Sequence, residues 1–151
     1  MSFWDKIKEN VSAMNSSLQT NVGKFKNADF ASGSMAMCAL IAAADGTIDG
    51  KEKSKTAALI GNNDTLKVFP AAELKEKFDF FCGKLAADFD FGRIEALQAI
   101  AKLKKKEDQA RAVIQVGIII GGADGNFDTD EKKAVRDACH ALGINPAEFD
   151  V

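Results

Sequence analysis

The sequence has few of the residues that interrupt helices or support a metal or redox centre. Its 151 residues include two prolines, one histidine, one tryptophan and no tyrosine. The three cysteines, Cys38, Cys82 and Cys139, are odd in number, widely spaced and without a C-x-x-C motif, which argues against a disulfide framework or a zinc site. His140 is the single histidine, so no multi-histidine metal centre or histidine-based triad is expected.

The chain also lacks a long apolar run and a strong charge of either sign. No stretch approaches the ~20 apolar residues of a membrane span, and the longest run, 113–122, contains Gln115. The net charge of −2 gives no basic field, so nucleic acid is not an expected partner. No secretory signal begins the sequence, and with unpaired cysteines this favours the cytoplasm.

What remains is a helix-forming composition. The chain is 46% hydrophobic and 28% charged, as in ordinary soluble domains, and it is rich in alanine, lysine, leucine and isoleucine. No alternating strand pattern is found. We therefore predict an all-α fold in a single domain, 1–151, that is a helical bundle of two duplicated helix–loop–helix units, with internal repeats at about 34–75 and 113–150.

An N-terminal amphipathic helix is predicted over residues 3–22. Apolar residues recur there at spacings of three and four, on one helical face. A helix docked on the core is favoured, and a peripheral contact with the membrane is the alternative. The stripe consists of Phe3, Ile7, Val11, Met14, Leu18 and Val22.

The other predicted elements follow from caps, breakers and periodicity. Loops are expected at 27–34 and 88–91, and Lys102 to Lys106 form a charged corner. Helices are expected over 34–45, from Asp49 to about Gly61, from Pro70 to at least Leu85, over 93–103, 107–124 and 129–142, with a last turn at Pro146.

One pattern occurs twice and organises these elements. It reads A-D-G-x-Φ-D-x-x-E, with Φ apolar, at residues 44–52 and again at residues 123–131, 79 positions later. Each copy follows an apolar helical run and precedes a lysine-rich helix. The acidic residues of the two copies are Asp45, Asp49, Glu52, Asp124, Asp128 and Glu131.

Each copy matches the second half of an EF-hand calcium loop. Asp45 falls at position 5, Asp49 at position 9 and Glu52 at position 12, but positions 1 and 3 are Ile41 and Ala43. The second copy has the same register and the same gap. Each loop is thus half of a calcium site, and we expect the two halves to come together around a divalent cation, Ca²⁺ first and Mg²⁺ second. The carbonyls of Thr47 and Asn126 would lie nearby.

Helix capping is the competing interpretation of these acids. Asp49 with Glu52, and Asp128 with Glu131, are the pairs expected of capping boxes. Capping does not explain Asp45 and Asp124, which end apolar helices where the macrodipole disfavours a negative charge by roughly 0.3–1 kcal/mol. A metal-independent scaffold therefore stays open, with a metal-dependent hydrolase as a weaker alternative.

Other sites have less support. The glycine-rich residues 121–125 follow no strand and lack the lysine of a phosphate loop. The Lys102 to Lys106 corner is expected to be a solvated surface. Thiols react with oxyanions in principle, but Cys38 and Cys139 are expected to be buried on apolar helix faces.

The two acidic loops in an all-helical frame of this length resemble those of the TerB family of small tellurite-resistance proteins. The resemblance extends from Trp4 to the C-terminus. It implies a non-enzymatic domain that binds divalent cations, with the metal-linked acids at the six positions named above. It also implies a role in stress response and tellurite resistance, cytoplasmic localisation, and partners from the same system, including a membrane component that would bring the chain to the inner face of the membrane.

Overall fold

A computed structural model describes residues 26–123 and 127–151 of the chain. Over these ranges the protein contains helices and no strand, which confirms the all-α prediction. The helices are α1 (Ala28–Ala42), α2 (Gly50–Asn62), α3 (Ala71–Ala87), α4 (Phe89–Ala101), α5 (Glu107–Gly122) and α6 (Thr129–Leu142), with short 3-10 helices at Asp64–Val68 and Pro146–Phe149.

Helix α1 is the centre of the fold. It is apolar around almost its whole circumference, as expected of a helix enclosed by others, and most of its residues are fully buried. Each of the other five α-helices packs against it. The second acidic motif follows α5, another largely buried helix, so both motifs begin where a core helix reaches the surface.

Helix α2 lies at the periphery. Only Thr56 and Ile60 of its thirteen residues are buried, and apart from the partly buried Leu59 its remaining residues are polar or small. Helices α3 and α4 form a close pair joined at Asp88, which caps α4 by accepting from the amide of Phe91 at 3.1 Å. Helix α6 packs on α1, α4 and α5, with Arg93 and Asp137 bridging α4 and α6 at 2.9 Å.

Several predicted boundaries are wrong for local reasons. The loop predicted at 27–34 is the N-terminal half of α1, because Asn27 caps the helix by accepting from the amide of Phe30 at 2.8 Å. Helices α1 and α5 end at Ala42 and Gly122, before the aspartates predicted to end them. The predicted break at 88–91 is reduced to Asp88. The starts of α2 and α6, and the final turn at Pro146, are confirmed.

The predicted N-terminal amphipathic helix, residues 3–22, lies outside the described residues. None of the described helices is both long and apolar enough to cross a bilayer. A helix precedes and a helix follows each acidic motif, while the duplication itself stays a prediction.

Candidate functional site

The first acidic loop connects α1 to α2. The chain leaves α1 through Ala43 and turns at Gly46, whose φ of 93° is a left-handed conformation that side chains other than glycine resist. Asp49 then caps α2, accepting from the amide of Glu52 at 2.7 Å. The Asp-Gly pair thus reverses the chain, and the second aspartate starts the next helix.

Asp45 has a local role that the sequence did not predict. Its Oδ1 accepts from both the amide and the hydroxyl of Thr47, each at 3.1 Å. This is the Asx turn that aspartate favours in loops. Since α1 ends before Asp45, the aspartate is not within the helix as predicted, and the macrodipole argument for its charge is weaker.

The second loop forms a complete capping box. Asp128 Oδ1 accepts from the amide of Glu131 at 2.8 Å, and Glu131 Oε1 accepts from the amide of Asp128 at 3.2 Å. In the first loop the amide of Glu52 donates to Asp49, which confirms that half of the predicted capping box, and the backbone N–H of Asp49 interacts with the Glu52 carboxylate and lowers its pKa. Asp124 lies outside the described residues, and its predicted role stays a prediction.

The two loops contribute to one cleft of about 170 Å³, here called the acidic cleft. Its apolar walls come from the ends of α1 and α5, at positions that correspond between the two motifs: Ile41 with Ile120, and Ala42 with Gly121. Two elements 79 residues apart in sequence therefore meet. The carboxylates that line the acidic cleft are Asp45, Glu52, Asp128 and Glu131, whereas Asp49 is not among its lining residues.

Glu52 is the most unusual of these acids. Its Oε2 is buried and has no hydrogen-bond partner among residues 26–123 and 127–151. Burial raises the pKa of this carboxyl above the ordinary glutamate value, and the negative charges of Asp45, Asp49 and Asp128 raise it further. A carboxylate oxygen that is removed from water without a donor is costly to keep charged.

The four carboxylates share a cleft without forming a closed ligand set. Within the two described ranges, no three acidic, thiol or imidazole side chains converge closely enough to hold an ion as they stand. The four carboxylates therefore line one cleft without converging on one point. Instead, one oxygen of Asp45 and one oxygen of Glu131 each accept a hydrogen bond from a backbone amide.

Two residues of the acidic cleft were missed from sequence. Lys55 lines it, one helical turn after Glu52 on α2, and brings a positive charge to the carboxylates. Gly121 lies beneath the second loop, where a Cβ atom would come within 2.8 Å of Phe127 and 3.1 Å of Glu131 Oε2. Both residues break the repeat, since Ala134 and Ala42 occupy the matching positions. This mismatch between the two copies was the feature of the sequence that could have indicated both residues.

The cysteines and the histidine do not add to this site. Cys38, Cys82 and Cys139 are all buried, as predicted for Cys38 and Cys139. Burial raises the pKa of the Cys82 and Cys139 thiols to about 11, and raises that of Cys38 further still. All three are thus protonated at neutral pH, and the thiol is a poor nucleophile compared with the thiolate. His140 is exposed on α6.

Comparison with known proteins shows which family the chain belongs to. The family described as tellurite resistance protein TerB matches residues 31–151, so the match begins later than the predicted start at Trp4. A tellurium resistance protein TerB from an Alcaligenes species is 34% identical over 118 residues, which cover 78% of this chain and 97% of that protein. No solved structure matches the chain. The chain belongs to the TerB family of tellurite-resistance proteins.

Proposed function

We propose that this protein acts in tellurite resistance and stress response as a non-enzymatic module that binds a divalent cation in the acidic cleft. The observation that carries the proposal is Glu52, whose buried Oε2 has no hydrogen-bond donor in the described part of the chain and whose carboxylate lies close to the negative charges of Asp45 and Asp128. These neighbours come from both motifs. A cation between the loops would place a positive charge beside the Glu52 carboxylate.

The chemistry of the donors favours Ca²⁺, with Mg²⁺ as the second choice. All the donors are oxygens, which suit hard cations, and no thiolate or imidazole lies among them. Calcium takes roughly six to eight oxygens in a flexible arrangement, whereas magnesium demands a regular octahedron. The flexible coordination geometry of calcium suits a cleft whose carboxylates must still move together to bind an ion.

The six predicted acids would have different roles in binding the cation. Glu52 and Asp128 would provide the first oxygens, and Asp45 and Glu131 would join them by turning from their amide partners. Asp49 would hold the start of α2 in place through its cap. Asp124 remains a proposed ligand by its correspondence with Asp45, as does the duplication that relates the two loops.

A binding role is favoured over catalysis. Burial raises the pKa of the thiols, the histidine is exposed on α6, and neither kind of side chain lines the acidic cleft. We propose that other proteins of the tellurite-resistance system bind the surface that carries the ion. One of them would be a membrane component, which would be contacted from the cytoplasmic side. A phosphoesterase or peptidase assay with added Mg²⁺, Mn²⁺ or Zn²⁺ should show no turnover.

Calorimetry tests the proposal. Calcium added to the full chain should bind with measurable heat, and Glu52→Gln should weaken binding by at least about tenfold, the equivalent of ~1.4 kcal/mol. The matched control is Glu76→Gln, which removes the same charge from an exposed position on α3 and should leave the affinity nearly unchanged. Equal affinities for the wild type and Glu52→Gln would reject the site.

A metal-independent scaffold is the second candidate function, and Lys55 is the observation that favours it. In that case the ammonium group of Lys55 would neutralise the acidic cleft without any ion, and the aspartates would only cap and turn. Lys55→Met separates the two ideas. It should raise calcium affinity if an ion binds there, because a competing positive charge is removed. If the protein is a scaffold, the substitution should lower the melting temperature equally with and without calcium.

A further inference from the structure

The large apolar side chains that remain in contact with water lie on α3 and α4. Phe91 and Ile94 on α4 are 74% and 47% exposed, and Phe80 on α3 is 49% exposed. With about 200 Å² for a fully exposed side chain of this size, the three leave roughly 300 Å² of apolar surface in water. An exposed apolar patch of a few hundred Å² often marks an interaction site on a soluble protein.

Helices α3 and α4 form a tight hairpin. They are joined through Asp88 alone, so the chain reverses over one residue and the two helices run antiparallel. Gly92 lies so close to α3 that a Cβ atom at this position would come within 2.7 Å of the backbone of Leu85. The close approach places the outer sides of both helices in one continuous surface.

The outer surface of this hairpin carries one positive and one negative charge at its centre. Lys84 on α3 and Glu95 on α4 bridge the helices at 3.9 Å. Phe80 and Phe91 each precede one of these residues by a single helical turn, so on antiparallel helices they lie on opposite sides of the bridge. The Phe80 ring packs on the edge of the buried Phe81 ring, with centroids 5.2 Å apart, and is thus held in place. We call this surface the α3–α4 face, with the central residues Phe80, Lys84, Phe91, Ile94 and Glu95.

The charge pattern of the α3–α4 face is complementary to itself. A two-fold axis along the seam between the helices would place α3 of each copy over α4 of its partner, at the same level. Lys84 would then face Glu95 of the partner subunit, and Glu95 would face the partner's Lys84. A partner with charges of a single sign would instead repel one of the two side chains. A second copy of the chain therefore fits the face better than a strongly charged protein.

The α3–α4 face is large enough for a weak dimer. The seventeen residues of α3 extend about 26 Å, and two adjacent helices are about 20 Å wide, which gives roughly 500 Å² per copy. The total of about 1,000 Å² is near the lower limit for a specific interface. We propose that this face joins two copies of the chain into an antiparallel four-helix bundle. The acidic cleft is lined by residues of α1, α2, α5, α6 and their loops, so the proposal is independent of cation binding.

Sedimentation equilibrium of the full chain tests the proposal. From micromolar to millimolar concentration the protein should follow a monomer–dimer equilibrium. Phe91→Ser should weaken association at least about tenfold, because it removes the most exposed ring of the face. The control His140→Ser changes an exposed residue of α6 and should leave association unchanged. A monomer over the whole range would overturn the proposal, and so would a monomer whose Phe91 inserts into lipid vesicles.

Charge reversal tests the two-fold arrangement itself. Lys84→Glu and Glu95→Lys should each be mainly monomeric, because like charges would meet across the interface. An equal mixture of the two variants should associate again, since every charge would then face an opposite one. Lys75→Glu reverses a charge on the side of α3 that faces α2 and should dimerise like the wild type. A mixture that stays monomeric, or single variants that dimerise as the wild type does, would contradict the proposed interface.

Discussion

The two acidic loops carry the same motif and use it differently. In the second loop, Glu131 returns to the amide of Asp128 and completes a capping box, so part of its carboxylate is engaged within its own helix. In the first loop, the backbone N–H of Asp49 interacts with the Glu52 carboxylate and lowers its pKa, but no complete capping box forms, and Glu52 Oε2 is buried without a donor among the described residues. Identical residues at identical spacing thus give one glutamate in a complete capping box and one glutamate with a buried oxygen that has no donor among the described residues.

The residues around the motif account for part of this difference. Gly121 leaves room for Phe127 and Glu131 to lie against α5, whereas the first loop has Ala42 at that position. Phe127 is buried and its counterpart Ile48 is only partly so. The second loop is therefore packed onto the core more firmly. We expect the first loop to be the one whose properties change most when an ion binds.

The largest expected effect is on stabilisation by calcium. At a hundredfold excess over the dissociation constant, an ion stabilises the folded state by about 2.7 kcal/mol. Glu52→Gln should remove most of the stabilisation by calcium. Glu131→Gln should retain more of it, because the glutamate of the capping box is expected to contribute less to binding the ion. The measurement is the free energy of unfolding in urea with and without calcium. Equal losses in the two variants would mean that the loops are equivalent.

The packing beneath the loops gives the next effect. Gly121→Ala places a Cβ atom 2.8 Å from Phe127, so a buried ring must move, and such overpacking costs about 1–3 kcal/mol. The reciprocal change, Ala42→Gly, should cost no more than about 1 kcal/mol, since it adds only helix-end flexibility. Urea unfolding of both variants without calcium checks the order, and the reverse order would show that Gly121 does not hold the second loop.

The contributions of the two N-caps to the free energy of unfolding should differ by a smaller amount. Asp128→Ala removes one bond of a complete capping box and should destabilise the ion-free protein by about 1–2 kcal/mol. Asp49→Ala removes the same kind of cap but also relieves the repulsion that raises the pKa of Glu52, so its cost should be about 1 kcal/mol or less. Thermal unfolding in a chelator would measure both. A larger cost at Asp49 would contradict the comparison.

The smallest effect is the pH dependence of the ion-free protein. Because the pKa of Glu52 is raised on folding, the folded state binds more protons than the unfolded state between the ordinary glutamate pKa and the higher folded value. The contribution of Glu52 to stability therefore falls as the pH rises through that window. Glu52→Gln should flatten this part of the curve, and Glu131→Gln should not. Parallel curves for the wild type and Glu52→Gln would refute the assignment.

Local chemistry explains what could be predicted from the sequence. The all-α fold follows from composition and periodicity, and the starts of α2 and α6 follow from Asp49 and Asp128, whose caps depend only on residues three positions away. The start of α1 was missed because glycine, serine and asparagine at 27–34 are typical of loops. Burial against five helices outweighs that weak preference.

The site shows the same division between local and tertiary information. The motif repeat predicted that two acidic loops would meet, and four of the six acids line one cleft. The inequality of Glu52 and Glu131 could not be predicted, because it depends on how α5 packs beneath Phe127. Lys55 was also missed. Its place in the acidic cleft depends on the approach of the second loop to α2, which no spacing rule contains.

The most direct test of a shared cation site is a calcium titration of the full chain followed by amide NMR. We expect saturable shifts with one common midpoint, because a single ion would be bound by residues of both loops. The shifts are expected at Asp45, Glu52, Asp128 and Glu131. Shifts confined to one loop, or no shifts at millimolar calcium, would contradict it.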